Sequence, residues 1–386
     1  MDSVFLRDLL STPTAPFREK LVLQKLSAYL QKNRLPFFVD PIGNVVVGPP
    51  DAKTYRRWIS EHTEYPLPIF IAHTDHPGFH GVRARSDKIL EFEWFGGAPT
   101  RLLKGARVWL ADDKGYCGAG RIKTVRLTAS KRTIASGTLE ILKTPDSRQV
   151  SDPKRLFGGF GFRAPVFERG RLIYTKAADD LVGAFAIAML AKRFTRRSDP
   201  KRRFVGIFTR AEEVGFIGCI GHFKSGFFQK ARRPIVAVSL ETSRQLPGAH
   251  IGKGPVLRLG DRFGVFDPRA LHAFETLARG KKLSFQKRIM DGGTCEATVA
   301  TVWGMPAIGI SVPLGNYHNQ SFEGGPDSRG NLGPAPEFVH KDDIRGLLDL
   351  AQILVTDFTR QPLANTWNAE QKRLGALYQT YARRFF

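Results

Sequence analysis

The sequence predicts an α/β fold: a mainly parallel central sheet with helices on both faces, carrying an inserted small β-barrel-like domain. Three observations lead there. After Lys176, helical and strand patterns alternate, as they do when helices carry the chain back over parallel strands. Between about Phe79 and Tyr174 that rhythm gives way to KILEFEWF, ARVWLA, RIKTVRLTA and TLEILKT. These short alternating stretches, separated by Gly, Pro and Asp, have the texture of antiparallel strands. Finally, 386 residues exceed the usual size of one domain, so a large unit and a smaller one are expected. The expected division is 1–77 with 175–386 for the sheet domain, and 78–174 for the insert.

Each element has its own signal. Phe17 to Gln31 places Leu21, Leu23, Leu26 and Leu30 at helical spacing. Asn33 to Pro36 break that helix, and Val39 to Gly48 reads as a turn and a strand. PLPIFIAH is a short, wholly apolar strand ending at His73. Beyond the insert, Leu181 to Phe194 is apolar enough for a buried helix, FVGIFTRAEE is a strand, and Val214 to Phe228 is a short helix. PIVAVSLE and MPAIGISVP are further strands. Pro268 to Arg279 is a helix with proline in its first turn, and Asp342 to Phe358 closes the fold as an amphipathic helix.

Composition narrows the class. With 42% hydrophobic and 25% charged residues this is an ordinary soluble globular chain. MDSVFLRDLLSTP has neither the apolar run nor the cleavage site of a secretion signal. The longest apolar run, around Leu181 to Ala191, falls short of the roughly 20 residues that span a bilayer, so no membrane role is expected. Cys117, Cys219 and Cys295 are odd in number and scattered, which excludes a disulfide or zinc-cysteine framework and fits a reducing cytoplasm. The formal charge of +23 would draw acidic partners. Its densest cluster is Lys192, Arg193, Arg196, Arg197, Lys201, Arg202 and Arg203. It reads as a solvated face with cations favouring a helix C-terminus. No nucleic-acid module accompanies it, so nucleic acid is not an expected partner.

The chemistry sits where the apolar strands stop. PLPIFIAH ends in His73, with Asp75 just beyond; FVGIFTRAEE ends in Glu212 and Glu213; PIVAVSLE ends in Glu241. MPAIGISVP runs through a short loop to His318, and Asp179 and Asp180 precede the buried helix. In open α/β sheets ligands bind at the carboxyl ends of the strands. Singly, each residue has a plain structural reading: a cap for Asp179 or Asp180, first-turn charge for Glu212 or Glu213, an arginine partner for Glu241. Together, so many converging carboxylates would repel one another unless cations lay between them. Histidine nitrogen and carboxylate oxygen are the donors a catalytic zinc accepts.

AHTD, KAADDLVG, RAEEVGFIG, VSLE and LGNYHN stand in an order and spacing that resembles the glutamyl-aminopeptidase and tetrahedral-aminopeptidase family, once also called cellulase M. The resemblance covers nearly the whole chain, leaving only the tail after about Arg360 extra. It implies a cytoplasmic homo-oligomer that hydrolyses N-terminal residues from peptides with two divalent ions, zinc first, cobalt or manganese otherwise. It implies His73, Asp179, Glu213, Glu241 and His318 as metal ligands, with Asp179 shared and followed by a cis peptide bond. Asp75 would orient His73, and Glu212 would bind no metal and act as general base.

The sequence also departs from the family pattern. His76 stands in place of Glu, Leu181 in place of Arg, Cys295 or Glu296 in place of Asp, and GNYHN in place of R-Y-x-H-S. His76, Glu296 and Asn319 are accordingly candidate substrate-pocket residues. A carboxypeptidase or N-acyl amino acid deacylase of the same clan is the first alternative, although those relatives insert an α/β domain later in the chain. A basic nucleic-acid-associated protein on a non-catalytic scaffold is the second, and the intact set of metal and base residues argues against it.

Overall fold

The computed structural model describes residues 2–143, 152–195 and 203–381. Four parallel strands form its centre, in the spatial order Val205–Thr209, Leu67–His73, Ile235–Arg244, Ala307–Gly315. Their burial is continuous except for Ser243 and Arg244 at the end of one strand, as expected of strands covered on both faces. Antiparallel strands extend both edges. Phe37–Val39 and Val45–Val47 flank Val205–Thr209, and Glu337–His340, Leu172–Thr175 and Val166–Arg169 extend the other side. Val256–Asp261 pairs antiparallel with Ala307–Gly315 and parallel with Gln286–Met290, which brings the sheet to eleven strands among the described residues.

The helix Leu181–Phe194 lies against the central strands and against Lys341–Thr356, with Ser3–Ser11 and Lys20–Lys32 packed outside it. Ile217–Lys224 and Glu296–Val302 pack together as a second helical layer. Among the described residues four helices come as additions: Ser3–Ser11, Ala52–Ile59, Glu296–Val302 and Asn368–Tyr381. The first two start on aspartate caps, Asp2 accepting from the Phe5 N–H and Asp51 from the Thr54 N–H. Two expected helices are shorter than their apolar patterns. The first begins at Lys20, because Phe17 takes a left-handed φ of 65°. The helix expected over Val214 to Phe228 spans only Ile217–Lys224. Phe216 is left-handed at its start, and Gly226, at φ 74°, stops it.

Six strands close into an antiparallel barrel: Gly78–Ser86, Ile89–Phe95, Arg107–Asp112, Gly115–Leu127, Ile134–Lys143 and Phe157–Phe160. Phe79, Phe92, Trp94, Val108, Leu110, Ile122, Leu139 and Phe160 fill its interior. The chain leaves the sheet after His73, builds the barrel, and returns through the hairpin Val166–Arg169 and Leu172–Thr175, which joins the central sheet. No helix among the described residues is long and apolar enough to cross a membrane. Of the basic cluster, Arg196, Arg197, Lys201 and Arg202 lie outside the described residues, while Arg203 pairs with Glu61 at 2.5 Å.

Candidate metal centre and active site

The parallel strands finish level. Thr209 is in register with His73, and Glu241 with Ser311, so residues just past these positions share one edge. His73 is the last residue of its strand and is buried. Its Nδ1 lies 3.2 Å from the Asp75 carbonyl oxygen and 3.5 Å from Asp75 Oδ1, leaving Nε2 to face the centre. Asp75 accepts backbone N–H bonds from Glu212 at 3.0 Å and Glu213 at 3.1 Å, so one carboxylate orients the histidine and anchors both glutamates.

Asp179 sits in the loop between the edge hairpin and the buried helix, and its peptide bond to Asp180 is cis. Its two oxygens diverge. Oδ1 lies 3.4 Å from His73 Nε2, and Oδ2 lies 3.8 Å from His318 Nε2. On the far side Glu213 Oε2 is 3.0 Å from His318 Nε2. Three groups of side chains hold their ligand atoms within 4.8 Å of one another: His73 with Asp179 and Glu241, Asp179 with Glu213 and His318, and His73 with Glu212 and Glu213; the first two share Asp179. Asp180 takes the structural role instead, accepting from the Gly183 N–H and the Thr242 hydroxyl as a helix cap.

The donor set fits metal. Asp179 Oδ1, Glu213 Oε1 and His318 Nε2 are buried and make no hydrogen bond. Burial, then the charge of Asp179, pushes Glu241 up to about 8. Burial, reinforced by Glu213, Glu241 and Asp75, holds Glu212 well above the usual carboxylate range. Burial alone would depress His73 and His318, yet the carboxylates around them outweigh it and raise both. A buried cluster of this kind is a strained arrangement of acids that a cation would relieve.

Beside the centre is a cavity of about 230 Å³. His73, Asp179, Glu212, Glu241 and His318 line it, and Glu213 does not. The barrel contributes Gly97, Ala98 and Arg132, and Arg244 and Arg258 add positive charge from the sheet domain. Arg258 is buried and donates to the Ser243 hydroxyl at 3.0 Å.

The three candidate pocket residues lie elsewhere. His76, Glu296 and Asn319 are each at most 3% exposed and absent from the cavity wall. His76 Nδ1 is 2.8 Å from the Asp179 carbonyl oxygen, and its Nε2 is 3.3 Å from Asn319 Oδ1. Burial, then His318, pushes His76 down to about 3, which keeps it neutral. Glu296 opens a short helix behind His73, where burial pushes its carboxyl up to about 7. Leu181 is likewise buried, at the first position of its helix.

Two buried glutamates escape a sequence reading. Glu19 accepts from the Arg210 guanidinium and the Ala211 N–H, fixing the segment before Glu212. Glu337 accepts from backbone N–H groups on both sides of the centre. The signal for Glu337 was a lone carboxylate in the short strand PEFVH, ahead of an amphipathic helix.

Residues 58–322 match the M42 glutamyl aminopeptidase family. Among solved structures, the fold is similar to a TET aminopeptidase from the marine sediment archaeon Thaumarchaeota archaeon SCGC AB-539-E09. That likeness has a TM-score of 0.71 and 19% identity over 94% of this chain and 99% of that one. The TET1 peptidase of Pyrococcus horikoshii gives 0.69 and 19% over 92% and 98%. Aminopeptidase APDkam598 of Desulfurococcus kamchatkensis gives 0.69 and 20% over 91% and 93%. At such identities these likenesses concern the fold. The family match, which runs over well more than half of the chain, shows that this protein belongs to the M42 glutamyl aminopeptidase family and hydrolyses peptide bonds as an aminopeptidase.

Proposed function

We propose that the protein removes N-terminal residues from peptides with two divalent ions. His73, Asp179 and Glu241 would hold one, and Asp179, Glu213 and His318 the other. Zinc is the expected occupant; cobalt and manganese suit the same donors. The observation that carries this reading is the division of Asp179, one oxygen toward each histidine. Bound there, the ions would supply Lewis acidity toward the scissile carbonyl and acidify the attacking water.

Glu212 is the general base. The two groups that share Asp179 hold their ions without it, and its carboxylate faces the cavity while its neighbour's does not. It accepts a proton from the attacking water and returns it to the leaving amine nitrogen. Asp75 keeps the His73 ring turned toward the centre. Arg132, Arg244 and Arg258 give the cavity a positive wall, which favours substrates with acidic side chains. The family assignment favours this reading over a carboxypeptidase or an N-acyl amino acid deacylase.

Residues 1–77 and 175–386 would form the catalytic unit and 78–174 the insert, whose last hairpin is shared with the central sheet. The TET1 peptidase of Pyrococcus horikoshii assembles into a tetrahedron or an octahedral shell, and we propose that this chain also forms a homo-oligomer in the cytoplasm. The decisive experiment combines metal analysis with hydrolysis of aminoacyl-anilides by wild type and Glu212→Gln. Both should carry about two ions per chain, and the variant should lose a factor of about 10² to 10⁴ in turnover. A metal-free, folded wild type, or a variant that turns over normally, would reject the assignment.

A further inference from the structure

We infer that Glu337 is a positioning residue for the metal centre, latching the backbones of two ligand loops, with Asn319 and His76 as its auxiliary ties. The inference rests on the two-ion reading above. Glu337 lies on the edge strand Glu337–His340, fully buried, and touches neither the cavity nor a ligand atom. Its Oε2 accepts from the N–H groups of Ala178 at 2.7 Å and Asp179 at 3.2 Å. Its Oε1 accepts from the N–H of His318 at 2.9 Å. A single carboxylate therefore spans from the shared ligand to a histidine that belongs only to the second group.

The auxiliary ties run between the same loops. Asn319 donates from Nδ2 to the Lys176 carbonyl oxygen at 3.1 Å, joining the His318 loop to the Asp179 loop. His76, three residues past His73, places Nδ1 2.8 Å from the Asp179 carbonyl oxygen and joins the first ligand loop to the second. The three segments that deliver His73, Asp179 and His318 are thus fastened to one another through main-chain groups.

Such fastening answers two loads. Asn316, His318 and Asn319 all take left-handed φ, between 53° and 56°, a conformation that persists only where surroundings over-determine it. The ligand carboxylates meanwhile repel, and a loop free to yield would spread until the metal geometry was lost. Only a group with acceptors at both ends satisfies N–H donors on both sides. Glutamine would aim an amide N–H at one of them.

The test uses full-length protein stripped of metal and titrated with cobalt(II), read by its visible absorption. Glu337→Gln should bind cobalt at least tenfold more weakly than wild type, and Asn319→Ala at least threefold more weakly. In steady state Glu337→Gln should lose kcat while KM for an aminoacyl-anilide moves less than threefold. Val339→Ala sets the comparison. It opens a cavity in the core on the same strand without touching the three carboxylate hydrogen bonds, and should lower Tm yet keep wild-type cobalt affinity. Wild-type affinity in both test variants, or equal weakening in Val339→Ala, overturns the inference. Should Glu337→Gln fail to fold, Asn319→Ala decides alone, and wild-type affinity there overturns it. A wild type that takes up no cobalt rejects the two-ion reading itself, a result distinct from a wild type that binds while its variants match it.

Discussion

His318 is held at two places. The Tyr317 ring stacks on it with centroids 3.6 Å apart, and the barrel loop abuts its Nδ1 edge at Gly97. A Cβ on Gly97 would fall 2.0 Å from His318 Nδ1, so no larger residue fits there while the imidazole stays put. Gly97→Ala should leave the fold intact at a cost of about 1–3 kcal/mol, the usual penalty for overpacking. It should reduce turnover by about 10² or more, because a ligand displaced by an ångström no longer supports the reacting geometry. Thermal melting beside steady-state kinetics separates the two effects. An alanine variant with normal turnover would show that the imidazole has room to shift. The adjacent glutamates have separate fates for a similar geometric reason. Both backbone N–H groups bind Asp75, yet only Glu212 reaches the cavity wall.

The edge hairpin that ends at Thr175 hands the chain to Lys176, a buried lysine whose ammonium donates to the Thr12 carbonyl at 2.6 Å and sits 5.1 Å over the Trp109 ring. Burial, only partly offset by Glu337, pushes Lys176 down to about 7. Unfolded, the same amine would titrate near 10.5. Between those values the unfolded chain binds the extra proton, so this residue makes stability rise with pH from about 7 to about 10.5 and adds no slope below 7. Lys176→Met should flatten that rise, measured as denaturant midpoints across the interval; an unchanged slope would mean that the amine is solvated. At this scale the sequence was most legible where one signal dominated. The strand leading to His73 and the run Leu181 to Ala191 are apolar segments with nothing to compete with burial. The barrel texture, too, survives in alternating strands. Ser3–Ser11 and Ala52–Ile59 were not legible, since their stability comes from aspartate caps and tertiary contact rather than from a long stripe. Nor was the burial of His76, Asn319 and Glu296 readable. Proximity in sequence to a ligand does not tell which side of the backbone a side chain takes. Glu337 acts through main-chain groups, which leave no mark in a residue pattern.

For the molecule as a whole, the ligand cluster concentrates repulsion in one buried place, so cation binding is coupled to global stability. An ion present at 100 times its dissociation constant adds about 2.7 kcal/mol, which for a chain this large corresponds to about 3 °C in Tm. Exhaustive chelation should lower Tm by that much and abolish hydrolysis, both restored by readdition; calorimetry before and after dialysis checks it, and an unchanged Tm would uncouple metal from the fold. The position of the insert carries one more consequence, for biosynthesis. The barrel interrupts the chain between His73 and Asp179, and the last ligand and its Glu337 latch come later still. A growing polypeptide therefore displays scattered acids and imidazoles long before they can cooperate, and early cation capture could hold only an incomplete set. The proposed catalytic set is therefore complete only once the C-terminal strands have been made and docked.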